Sequence, residues 1–146
     1  MPSFEIAPLE REHLCKVAEL ERACFSEPWS QTSLEMLVCD GAIGVVAICD
    51  TNVAAYGGMT VVLDEGNITN IAVDPDYRHM GMGRAVVRGL LDRAREMGVT
   101  SVFLEVRESN LIARSLYLGE GFEVIGIRKG FYRAPLEDAV MMVKRL

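Results

Sequence analysis

Metal ligands and disulfide partners are scarce in this chain and badly spaced. Two histidines occur in 146 residues, and the four cysteines, Cys15, Cys24, Cys39 and Cys49, stand 9, 15 and 10 positions apart with no C-x-x-C pair. No zinc pattern fits those spacings, so no metal is expected and the cysteines read as buried free thiols. No apolar run approaches the roughly 20 residues of a membrane span. Met1-Pro2-Ser3-Phe4-Glu5 also lacks the basic segment and apolar stretch of a secretion signal. A cytoplasmic protein without a membrane partner is the expectation. Positive charge is short as well: 15 Lys and Arg against 21 Asp and Glu leave a net charge of −6. Affinity for phosphate backbones comes mainly from accumulated Lys and Arg, so direct nucleic-acid binding is not expected, whereas an acidic surface can attract a cationic partner.

No linker, repeat or low-complexity tract divides the sequence, and its length suits one domain over residues 1–146. Phe4 to Ala7 predicts a strand. Leu14, Val17, Ala18, Glu21 and Cys24 follow helical spacing with one polar exception, and that helix should end near Phe25, before Pro28. Ser30 can cap a second short helix carrying Leu34, Leu37 and Val38. Ile43 to Cys49, Val53 to Leu63 and Asn67 to Val73 read as three antiparallel strands joined at Asp50-Thr51-Asn52 and Asp64-Glu65-Gly66. A helix over 82–98 then places Ala85, Val86, Leu90, Ala94 and Met97 on one face, closed by Gly98. Thr100 to Val106 is a strand, Asn110 can cap a helix with Ile112, Ala113, Leu116 and Tyr117, and Phe122 to Ile127 and Ala139 to Val143 supply two last strands. This order predicts an α/β protein with a mixed sheet, helices on both faces, and one parallel crossover through the helix at 82–98.

The most informative stretch runs from Asn70 through Ile71-Ala72-Val73-Asp74-Pro75 to Arg78-His79-Met80-Gly81-Met82-Gly83-Arg84. A strand enters a glycine-containing loop that opens into a helix, which presents unpaired N–H groups at the positive end of a helix dipole and suits phosphate. A plain helix start is the competing reading. The Walker pattern fails because no Gly-Lys-Ser/Thr follows, and the dinucleotide fingerprint fails because Val86 stands where its third glycine belongs.

Arg78-x-x-Gly81-x-Gly83, following Ile71-Ala72-Val73-Asp74-Pro75, resembles the loop of the GNAT superfamily of acetyl-CoA-dependent N-acetyltransferases. Cys24-Phe25-Ser26-Glu27-Pro28-Trp29-Ser30, Leu104 to Asn110 and Glu137-Asp138-Ala139 are similar to its RimI-like branch, which acetylates the N-terminal alanine of a small-subunit ribosomal protein. The resemblance implies a mostly antiparallel sheet of about seven strands. It implies acetyl-CoA as co-substrate, its pyrophosphate on the N–H groups of His79, Met80, Gly81, Met82, Gly83 and Arg84, and its pantetheine arm along Ile71, Ala72 and Val73. Asn110 would touch it too. Strands 67–73 and 100–106 would splay to admit the thioester. Phe25, Pro28, Trp29 and Tyr132 would wall the peptide entrance, although Trp29 suits a helix-packing anchor equally. The sequence departs from the branch at Phe131-Tyr132-Arg133, where many members carry Tyr-Tyr-Pro, and at Glu120, a position usually apolar.

An α-amino group, with a pKa of about 7.7 to 8, must lose a proton before it attacks. Glu105, alone among Val102-Phe103-Leu104 and Val106, is the candidate acceptor, against the alternative of a strand-end glutamate facing solvent. The leaving thiolate needs a proton, and the resemblance assigns its delivery to Tyr117, whose helical spacing also suits a packed core tyrosine. A backbone N–H at Ala72 or Val73 would stabilise the oxyanion. A small-molecule amine acetyltransferase of the same fold, and a non-catalytic acyl-CoA-binding protein, are the alternatives to a protein N-terminal acetyltransferase.

Overall fold

The computed structural model describes residues 3–146. Strand β1 (Glu5–Pro8) leads through a 3-10 turn into α1 (Leu14–Cys24), then α2 (Gln31–Leu34) and a second 3-10 turn. A meander of β2 (Ala42–Cys49), β3 (Asn52–Val62) and β4 (Glu65–Val73) follows. The chain finishes with α3 (Met82–Glu96), β5 (Ser101–Arg107), α4 (Leu111–Gly119), β6 (Glu123–Arg133) and β7 (Leu136–Arg145). Among the described residues one sheet forms, in the order β1-β2-β3-β4-β5-β7-β6, antiparallel except for the β4–β5 pair. The expected mixed sheet with a single parallel crossover is what the chain builds. No helix of the described residues is long and apolar enough to cross a membrane.

Each face of the sheet carries its own apolar layer. Leu14, Val17, Ala18 and Leu20 of α1 pack with Leu34, Leu37 and Tyr56 on one side. Val86, Val87, Leu90 and Ala94 of α3 pack with Val45, Ala55 and Leu104 on the other. The caps form as expected: Ser30 Oγ accepts from Ser33 N–H at 3.1 Å, and Asn110 Oδ1 accepts from Ala113 N–H at 3.1 Å.

Four expectations need correction. Glu65 and Gly66 belong to β4 rather than to a turn, because Leu63 with φ +56° and Asp64 suffice to reverse the chain. Met97 caps the end of α3 and is 46% exposed, whereas Leu91, one position beyond the expected stripe, is buried. The last two strands, expected over 122–127 and 139–143, run over Glu123–Arg133 and Leu136–Arg145 and form one hairpin; the register shift between Arg128 and Tyr132 is held by Gly130 N–H donating to Asp138 Oδ1 at 2.8 Å. Of the four free thiols only Cys49 is buried; Cys24 is half-buried, Cys15 is exposed because it follows the buried Leu14 on the solvent side of α1, and Cys39 is exposed in the bend after the second 3-10 turn.

Gly57 in β3 sits under α3, and a Cβ there would lie 2.5 Å from Val86 Cγ1 and 2.9 Å from both Ile71 Cδ1 and Leu90 Cδ1. Gly57→Ala therefore overpacks this layer, and denaturant unfolding should register a loss of about 1–3 kcal/mol.

Candidate active site

Parallel pairing between β4 and β5 covers Glu65, Gly66 and Asn67 against Ser101, Val102 and Phe103, and then stops. Beyond it the two strands part, as the splay expectation required. β4 also shifts register against β3: Gly58 pairs Asn70 while Met59 pairs Ile68, so Thr69 is the extra residue of a bulge. A cleft of about 580 Å³ opens there, floored by Ile68 to Ile71 and by Leu104 to Arg107.

The open side of β4 offers specific backbone groups. Asp74 N–H bonds Ala54 O at 2.8 Å, and antiparallel alternation then points the N–H and C=O of Ala72 at β3 and those of Ile71 and Val73 at the gap. Val73 O confirms the direction, since it accepts from Cys24 Sγ at 3.4 Å and Arg78 Nε at 3.3 Å, both outside the sheet. Of the two N–H groups considered for an oxyanion, only that of Val73 faces the gap.

Past Val73, Pro75–Tyr77 forms a 3-10 turn and His79 takes φ +66°. Gly81, with φ +82°, turns the chain into α3. Ala85 N–H makes the first intrahelical bond, to Gly81 O at 3.1 Å, so the N–H groups of Met82, Gly83 and Arg84 have no partner inside the helix. Gly83 lies where a Cβ would meet Leu116 at 3.4 Å and Val73 Cγ2 at 3.7 Å, which brings the helix start against the end of β4. The nearby positive charge is partly spent. Glu120, its side chain only 6% exposed, holds Arg88 at 2.7 Å and Arg84 at 3.5 Å, so the departure from an apolar residue at 120 ties α3 to the end of α4.

On the opposite wall, Arg107 stacks over Tyr132 at 4.3 Å and donates to Glu137 Oε1 at 3.1 Å, to Pro135 O at 2.9 Å and to Ala134 O at 3.2 Å. Ser26 Oγ donates to the same Ala134 O, which joins the segment after α1 to the β6–β7 turn. Glu137 further accepts from Ser109 N–H at 2.6 Å. Its carboxyl is held below the usual range by Ser109 first and by Arg107 second.

Glu105 and Tyr117 both line the cleft. Tyr117 is 7% exposed and meets Phe122 edge to face at 5.7 Å. Burial, and then the neighbouring Tyr132, push its phenol up. Tyr132 is pushed up to about 12 by burial and then by the Glu105 charge, which sets Glu105, Tyr132 and Tyr117 within electrostatic reach of one another. Tyr117 is thus a packed core tyrosine that also lines the cleft.

Of the residues singled out in the sequence, Phe25, Trp29, Ile71, Glu105, Asn110, Tyr117 and Tyr132 surround the cleft. Arg78, His79, Met80, Gly81, Met82, Gly83 and Arg84 form the loop and helix start beside it, with Ala72 and Val73 leading there. Pro28 is exposed and does not line the cleft. Trp29 also packs against the α1 layer, so it is anchor and wall together. Sequence reasoning missed Arg107, which organises the entrance, and Glu21 and Asn70, both buried at its base. The signal for Glu21 was present as the polar exception on the apolar stripe of α1.

The profile of the Acetyltransferase (GNAT) family matches residues 14–122. The chain is 35% identical over 139 residues to the ribosomal protein bS18-alanine N-acetyltransferase of Escherichia coli, covering 94% of both chains. It is 33% identical over 140 residues to the protein of the same name from Haemophilus influenzae, covering 94% of this chain and 95% of that one. The crystal structure of the E. coli ribosomal-protein-S18-alanine N-acetyltransferase superposes with a TM-score of 0.91 at 34% identity, over 98% of this chain and 94% of that one. Arabidopsis thaliana NAA60 in complex with acetyl-CoA superposes equally well, at 0.91 over 99% of each chain, but at 16% identity shares the fold alone.

Because the folded-state pKa of Glu137 is depressed, its contribution to stability is present above the unfolded carboxylate value of about 4.3 and fades as pH falls through the folded value. Glu137→Gln should melt below wild type at about pH 7, with the gap closing below about pH 4, in thermal denaturation across that range.

Proposed function

The chain belongs to the GNAT acetyltransferase family, and from that membership we propose that it transfers acetyl from acetyl-CoA to the α-amino group of a protein N-terminus, specifically an N-terminal alanine of the kind named for its bS18-modifying relatives. One observation carries the reading: a carboxylate, Glu105, and a protonated phenol, Tyr117, line the same cleft where β4 and β5 part, beside an open strand edge that runs to the start of a 15-residue helix. The fit to acetyl-CoA rests on this chain's own groups. Ile71 and Val73 offer backbone N–H and C=O groups along the gap, and the unpartnered N–H groups of α3, at the positive end of its dipole, suit a pyrophosphate.

When bound, acetyl-CoA supplies the acetyl group as an activated thioester. Glu105 accepts the proton that the incoming ammonium must lose, directly or through a water, and holds the amine in the cleft. The Val73 N–H, facing the gap, is placed to receive developing negative charge on the carbonyl oxygen. Tyr117, kept protonated by burial, gives a proton to the departing sulfur, and the second proton shed by the acylated nitrogen as the amide forms restores the phenol. The wall made by Phe25, Trp29, Phe131 and Tyr132 admits an extended N-terminal segment past its aromatic rings.

Mass spectrometry of protein N-termini from cells lacking the gene, together with acetyl transfer to alanine-initiated peptides, tests the assignment; turnover of free polyamines or aminoglycosides with none of peptides would move the enzyme to small-molecule chemistry. Glu105→Gln and Tyr117→Phe should each lower kcat by about a hundredfold or more, with coenzyme A affinity by calorimetry unchanged. Since burial raises the Tyr117 phenol above its ordinary value of about 10, the pH profile of kcat should rise with amine deprotonation and show no descending limb below about pH 10.

A further inference from the structure

At the base of the cleft lies a buried carboxylate that the reaction above does not use. Glu21, on α1, is 1% exposed and lines the cleft. Its Oε1 accepts the Trp29 N–H at 2.9 Å, and its Oε2 accepts the Tyr56 hydroxyl and, at 3.3 Å, the Asn70 Nδ2. Three donors, one from the loop after α1 and one each from β3 and β4, therefore meet on one carboxylate, and burial together with the Glu21 charge keeps the Tyr56 phenol protonated as one of them. So committed, Glu21 is not a free base.

Its effect on Asn70 is directional. An amide has a donor end and an acceptor end, and a carboxylate tolerates only the donor. With Nδ2 drawn to Glu21, Oδ1 is turned away from it. That oxygen is buried and, among the described residues, has no hydrogen-bond partner, although Asn70 is 6% exposed and lines the cleft at the β4 bulge. Leaving a buried acceptor unpaired costs free energy, so its retention beside the cleft calls for a donor that arrives with a ligand. A neutral amine attacking through its lone pair has two N–H groups, and their acceptors decide where the lone pair points.

We propose that Asn70 Oδ1 receives an N–H of the acceptor's α-amine, and that Glu21 is the positioning residue that keeps the Asn70 amide in this orientation and, through the Trp29 N–H, holds the aromatic wall over the amine. This rests on the N-terminal acetyltransferase reading and adds to it the groups that orient the amine. Glu21→Gln removes the directional constraint, since a glutamine amide can donate to Oδ1 and let Asn70 turn its Nδ2 toward the cleft, donor against donor.

The test compares wild type, E21Q, and the double variant that combines E21Q with Asn70→Asp, in which the introduced aspartate accepts from the introduced glutamine amide and still faces the cleft with an oxygen. With an alanine-initiated peptide, E21Q should lose about ten- to hundredfold in kcat/KM for the peptide while its KM for acetyl-CoA stays within about twofold, and the double variant should regain most of the loss. Melting temperatures identify any general loss of fold. An E21Q that keeps its peptide kcat/KM, or a loss shared by both substrates that the double variant does not recover, overturns the proposal. A wild type that acetylates no peptide α-amine overturns the reading beneath it, and this inference with it.

Discussion

Two strands that run parallel for three residue pairs and then diverge set the conditions for everything else in this molecule. A sheet normally spends its backbone N–H and C=O groups on the neighbouring strand, and a buried strand cannot leave them unpaired without cost. Here β4 is buried in the middle of the sheet and yet gives up its β5 partner after Asn67. The freed groups of Ile71 and Val73 face the cleft, and the bulge at Thr69 begins where pairing ends. The cost is met locally at one group, Val73 O, to which Cys24 and Arg78 both donate. Divergence also explains why β5 needs β7 along its whole length, Ser101 to Arg107, to remain in the sheet.

Acidic residues near the cleft divide by what they hold. Glu21 gathers three donors, Glu120 holds two arginines, and Glu137 holds Arg107 and Ser109. Each joins elements far apart in sequence: α1 to β3 and β4, α4 to α3, β7 to β5. Charges withdrawn from water, Glu21 fully and Glu120 and Glu137 in part, are expensive to leave unpaired, which makes them better at fixing one arrangement than at adding net stability. Glu105 stands apart, with its influence registered on Tyr132 rather than on any cation. Among the described residues Glu105 has no side-chain hydrogen bond or ion pair, which is the condition the proposed role as proton acceptor requires.

Element order, the crossover, the helix caps and the loop before α3 were legible in the sequence because each depends on residues close together in the chain. Asn110 and Ser30 cap where local chemistry places them, and the Gly81 turn takes the left-handed conformation that glycine permits. The β6–β7 hairpin was read short because its bulge depends on Asp138, eight residues from the Gly130 it supports. Arg107 was invisible for a similar reason: its partners at Ala134, Pro135 and Glu137 are about thirty residues away. Glu21 lay in between. Its misfit on an apolar stripe was readable, but the donors that explain it lie 8, 35 and 49 residues away.

The net charge of −6 takes a different meaning once these partners are known. Arg78, Arg84 and Arg88 invite the view that side-chain charge draws the phosphates of the co-substrate. Arg84 and Arg88 are shared with Glu120, and Arg78 already donates to Val73 O and contacts Cys24. In the proposed reading, an anion at the start of α3 would meet first the N–H groups that have no partner inside the helix and the helix dipole, which are fixed by the fold and immune to titration. On the opposite wall Glu137 is paired with Arg107, and the three carboxylates that line the cleft, Glu21, Glu27 and Glu105, have no basic partner among the described residues, Glu21 being taken up by uncharged donors. The negative charge an acceptor would meet is thus local to the cleft, set by which carboxylates the fold leaves uncompensated rather than by the sum over the chain.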